Sequence, residues 1–168
     1  MEAPTHKPII DYFESLNKKL KDFPEKSFFR QDLNEIMGAI RSGTKFPAMA
    51  VESPDGDGES SIEQNSVIGR MFAFTVYMNP DKENFQQQND MLDLCERIGK
   101  KILARMRYDA RVPGHLLHNR FKVSSVKWIK VGPVFTDLLY GYRFTGIIEG
   151  NEALLVDPED WDDIQPKA

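Results

Sequence analysis

The chain has 168 residues, 40% hydrophobic and 29% charged, with a net charge of −4. That length suits one domain with a real core and excludes two comfortable ones, and the acidic balance removes any general case for nucleic-acid binding. A single cysteine, Cys95, excludes an internal disulfide framework and a multi-cysteine zinc site and fits a reducing compartment.

Residues 1–8 are polar with two prolines and lack the apolar stretch of a signal peptide. No run approaches the roughly 20 apolar residues that cross a bilayer, so synthesis in the cytoplasm and no membrane partner are expected. A first amphipathic helix is expected over 8–21, where Ile9, Phe13, Leu16 and Leu20 recur at helical spacing and Pro8 suits the first turn. A second helix is expected from a Ser27 cap, through the stripe Phe29, Leu33, Ile36, Met37 and Ile40, to a stop at Gly43.

Residues 46–52 read as a strand, and 54–66, glycine-rich and acidic, as a projecting loop. The clearest strand is 70–78, with Phe72, Phe74, Val76 and Met78 on one face. The Asn79-Pro80-Asp81 break leads to the longest helix, about 83–107, striped by Met91, Leu94, Cys95, Ile98, Ile102 and Met106. A loop over 111–119 follows, then strands over 121–131 and 137–149 joined around Gly132-Pro133. The expected fold class is α+β: a mixed or antiparallel four-stranded sheet packed by helices on one face, in the order α-α-β-β-α-β-β. Residues 1–150 form the domain, and 151–168 an extended acidic arm anchored only by Leu154, Leu155, Val156 and Trp161.

Catalytic and ligand signals are weak. No phosphate loop, dinucleotide turn, nucleophile elbow or zincin helix is present. His115 and His118 lack the further ligands a zinc site needs, and Cys95 reads as a small buried hydrophobe. Asp55, Asp57 and Glu59 fail as a calcium loop, with Ser60 where glycine is required and Ser66 where the bidentate glutamate belongs. No cofactor and no enzymatic activity are expected.

Charge is the strongest signal. From 97 to 130 there are ten Lys/Arg against one acid, and from 149 to 168 seven acids against one lysine. The basic side includes Arg97, Lys100, Lys101, Arg105 and Arg107; the acidic side includes Asp157, Glu159, Asp160, Asp162 and Asp163 beside Trp161. Opposite ends of this kind pair within a molecule or between copies, and head-to-tail pairing closes into a ring when the rotation permits. The arm either folds back on its own domain or docks on a neighbour. The alternative reading is a small nucleic-acid-binding or regulatory module using the basic helix 97–107, with Trp128 or Phe121 stacking on bases.

Over about 27–150 the order of elements resembles the tail terminator and neck (tail-completion) proteins of tailed bacteriophages. The residues that carry the likeness are the early strand KFPAMAVES and the acidic, glycine-rich loop after it. They continue with GRMFAFTVYMNP, the helix FQQQNDMLDLCERIGKKILARM and the late aromatic strand LLYGYRFTGII. The extra N-terminal helix and the acidic arm depart from the minimal pattern. The resemblance implies a virion protein: a hexameric ring that caps the tail tube and meets the tube and head-connector proteins while DNA passes through unbound. On that view Asp55, Asp57 and Glu59 face the lumen or the tube end.

Overall fold

The structure, a computed structural model, describes residues 4–30, 43–59, 66–81, 83–134, 139–152 and 154–164. The fold is α+β. Its elements are α1 (His6–Lys19), β1 (Phe28–Arg30), β2 (Ala48–Val51), β3 (Asp55–Glu59), β4 (Ser66–Met78), α2 (Phe85–Asp109), β5 (Phe121–Val134) and β6 (Leu139–Glu152), followed by a short 3₁₀ turn, Pro158–Asp160. The sheet is mixed and six-stranded, in the order β1-β2-β4-β6-β5, with β3 also paired to β4. Only β1 and β2 run parallel.

Both described helices lie on one face of this sheet. The α1 stripe buries Ile9, Phe13 and Leu16, and the α2 stripe buries Cys95, Ile98, Ile102 and Met106. They meet Phe72, Phe74 and Val76 of β4 and Phe144 of β6, all 1% exposed or less. The Phe74 and Phe144 rings stack at 5.1 Å, and Phe13 leans on Phe72 and Phe74 at 5.5 and 5.4 Å. Each such pair adds about 0.5–1.5 kcal/mol beyond its buried area. On the opposite face Phe29, Ala48, Ala50, Tyr77 and Leu139 form a second, smaller apolar cluster.

The sheet therefore has six strands where four were expected, for two local reasons. Ser27 does not cap a helix. Its hydroxyl donates to the Pro24 carbonyl at 2.6 Å and accepts from the Asn17 amide at 3.2 Å, so the chain enters β1 alongside β2. The remainder of that expected helix, 31–42, lies outside the described residues. The expected loop 54–66 likewise contains a strand, because the Asp55–Glu59 backbone zips onto Met71–Val67 and extends β4 back to Ser66. Gly132-Pro133 is not the strand junction. Both lie inside β5, at a register shift between Val131 and Val134 against β6.

Candidate assembly interface

The long helix α2 starts at an Asn84 cap, whose side chain accepts the Gln87 N–H at 3.0 Å. Its apolar stripe turns inward, so the basic residues of the outer face stand at the surface. They are not bare. Arg97 pairs with Asp93 at 3.2 Å, Lys100 with Glu96 at 2.7 Å, Lys101 with Asp22 at 2.8 Å and Arg105 with Asp109 at 2.8 Å. The Lys100 hydrogen bond holds the Glu96 carboxyl below the usual carboxylate range, and the bond to Asp109 raises the Arg105 guanidinium further. Arg107 is exposed in the last turn of the helix. Four of the five basic residues singled out in the sequence thus already face a carboxylate of their own domain.

Asp109 is the buried hub at the end of α2. It accepts the Tyr12 hydroxyl at 2.9 Å and Arg105 Nε at 2.8 and 3.0 Å, and the His115 ring packs edge-on against Tyr12. His115 Nδ1 accepts the Leu117 N–H at 3.1 Å, which fixes the ring over this hub. The cluster fastens α1, α2 and the 110–120 turn together. Among the described residues no group of acidic, histidine and cysteine side chains could hold a metal ion. Cys95 is fully buried, and burial pushes its thiol up to about 12, so it is an inert core group.

The acidic arm leaves β6 at Glu152, which is clamped by both guanidinium nitrogens of Arg70. Beyond it the described arm residues are largely exposed. Leu154, Leu155, Val156 and Trp161 are 64%, 63%, 60% and 56% exposed. The Asp157 carboxylate accepts the Glu159 N–H at 3.0 Å and starts the 3₁₀ turn, so Asp157, Glu159, Asp160, Asp162 and Asp163 all stand in solvent. None of the ion pairs among the described residues joins the arm to α2.

Asp55 and Asp57 project from β3 and share a shallow groove of about 230 Å³ with Val67, Met71, Ile147 and Glu149. Glu59 ends the same strand. These acids stand on a paired strand rather than a free loop.

One surface escaped the sequence reading. Among the described residues β5 is an edge of the sheet, 14 residues long and paired only to β6. Its Lys127–Val131 stretch pairs continuously with Thr145–Gly141, and Ile129 at its centre is 58% exposed. Trp128, 44% exposed, stacks toward Phe144 and donates its indole N–H to Glu96 at 3.1 Å. Before this stretch the register slips, and Ser125 Oγ repairs the ladder by accepting the Ile147 N–H at 2.8 Å. Lys122, Lys127 and Lys130 are the strand's charged residues and all three are lysine. Lysine on a strand is a recognised edge signature, and that signal was present in the sequence.

Among the described residues no helix is long and apolar enough to cross a membrane. In comparison with known proteins, no family model matches the chain and no curated protein is significantly similar to it.

Proposed function

We propose that this chain is a structural virion protein of a tailed phage or phage-like particle. It forms a ring at the head–tail neck that caps the tail tube and joins it to the head connector, without catalysing a reaction. The observation that carries the reading is the arm: four large apolar side chains and five carboxylates that its own domain leaves largely exposed. Burying each such apolar side chain is worth about 1.5–3 kcal/mol, a gain the isolated domain does not take. A second copy, or the neighbouring neck and tube proteins, supplies the missing cover. The order of elements over 27–150, with its strand-break-helix unit and late aromatic strand, supports the phage setting. In that setting Asp55, Asp57 and Glu59 line the lumen or the tube end, where negative charge repels DNA and lets it slide.

The test is electron microscopy of the purified full chain, alone and after incubation with tail tubes. Rings, and density capping one tube end, are expected. A chain that stays monomeric at high concentration in low salt and leaves tubes bare overturns the reading. The alternative, nucleic-acid binding by helix residues 97–107, predicts a low-salt gel shift abolished by Lys100→Glu with Lys101→Glu and Arg105→Glu. The carboxylates already paired to those residues weigh against that alternative.

A further inference from the structure

We infer that the arm of one copy docks on the β5 edge of a second copy, with Leu154–Leu155–Val156 lying along Lys127–Val131 and the carboxylates that follow meeting Lys127 and Lys130. The inference rests on self-association, one part of the proposed function, and is independent of any phage setting.

Reach rules out the same pairing within one copy. β6 is already hydrogen-bonded on both sides, to β4 and to β5, so an added strand has to lie beyond β5. That position is two strand spacings from β6, roughly 9–10 Å. The triplet lies two to four residues past Glu152, a reach of at most about 14 Å. Lys127–Val131 pairs with Thr145–Gly141, at least seven residues or roughly 23 Å back along β6, so the triplet cannot reach that stretch of its own β5.

Charge selects the arm as the occupant. Two β5 edges brought together would oppose three lysines to three lysines, which blocks symmetric edge-to-edge pairing. Lys122 is already held by Glu149 of its own domain at 2.7 Å, so the arm, with five acids and no base over 154–164, meets Lys127 and Lys130. The α2 cations are poorer partners, because carboxylates of their own domain already engage four of them. The exposed Ile129 on the edge offers apolar cover to the arm's leucines, and strand addition satisfies the edge backbone groups. Donor and acceptor differ, so the contact is head-to-tail and propagates into a ring or a filament.

The experiment uses two complementary variants of the folded chain. Ile129→Glu with Lys127→Glu keeps the arm and spoils the acceptor; Leu155→Glu with Trp161→Glu keeps the acceptor and spoils the arm. Sedimentation of the wild-type chain in low salt is expected to show species heavier than 19.3 kDa, and each variant alone to associate about tenfold or more weakly. Mixed one to one, the two variants are expected to form a heterodimer and stop there, since one intact arm then faces one intact edge. Unchanged melting temperatures of both variants show that folding is intact. A wild-type chain that associates while both variants associate equally well overturns the docking and leaves self-assembly standing. Variants that fail alone and also fail when mixed overturn it too, and a wild-type chain monomeric at every concentration overturns the docking and the assembly reading together.

Discussion

Gly99 of α2 lies so close to the ring of Phe144 on β6 that a Cβ added there would stand 2.0 Å from the ring carbons. The helix therefore crosses the sheet at a residue without a side chain, and Phe144 fills the space the glycine leaves. Gly99→Ala is expected to cost about 1–3 kcal/mol, read as a lower urea midpoint, because the buried ring has to move. Phe144→Ala is expected to cost about 3–5 kcal/mol by opening a cavity beside Phe74. Combining Gly99→Ala with Phe144→Leu should cost less than the sum of the singles, since the smaller side chain yields to the new methyl. Strict additivity would show that the two residues do not share this space.

The Tyr12–Asp109–Arg105 cluster is expected to behave as one unit. Tyr12→Phe removes one hydrogen bond and should cost about 1 kcal/mol, while Asp109→Ala strands a buried hydroxyl and a guanidinium and should cost about 1–3 kcal/mol. A double-mutant cycle by chemical denaturation should give a coupling of at least about 0.5 kcal/mol. Zero coupling would mean that the cluster does not hold α1 against α2.

Alkaline stability follows from burial. The Cys95 thiol is raised from 9.0 to about 12 by burial, and the Tyr12 hydroxyl is raised as well, by burial first and then by Asp109. Both are neutral in the fold and ionise more readily in the unfolded chain. Their contribution is full below pH 9 and is lost as pH rises from about 9 toward 12. Cys95→Ala should flatten part of that alkaline decline in urea-midpoint measurements across the window. The native thiol should also react with disulfide reagents only at the rate of opening of the fold. Fast labelling at neutral pH would contradict the buried placement.

Association is expected to carry an optical signature. The chain has two tryptophans, Trp128 and Trp161. In a Trp128→Phe variant the remaining emission comes from the arm. It should shift to shorter wavelength as concentration rises and shift back near 1 M salt, where the Debye length falls to about 3 Å. An emission maximum that never moves, in a sample shown by sedimentation to associate, would place Trp161 outside the contact.

What was legible in the sequence is what repeats locally. The helical stripes from Ile9 to Leu16 and from Cys95 to Met106, and the alternation Phe72, Phe74, Val76, announce buried faces because each period is set by one element's own geometry. The charge split and the apolar anchors of the arm were legible for the same reason. Pairing was not. Phe28–Arg30 carries part of a helix-like stripe and becomes a strand because β2 offers it a parallel edge, and Asp55–Glu59, poor in strand formers, is held by the backbone of β4. Gly132-Pro133 reads as a turn, and only the β6 ladder turns it into an irregularity within an edge strand.

The basic face of α2 was equally plain, but its partners were not. Lys101 meets Asp22 across 79 residues of chain, and Arg143 meets Glu52 across 91. The amino-acid sequence by itself determined which faces are apolar and how charge is distributed along the chain. Only the tertiary structure decided which charges are already neutralised and which strand edge is left unpaired among the described residues, because both depend on contacts between residues far apart in the chain that local spacing does not encode.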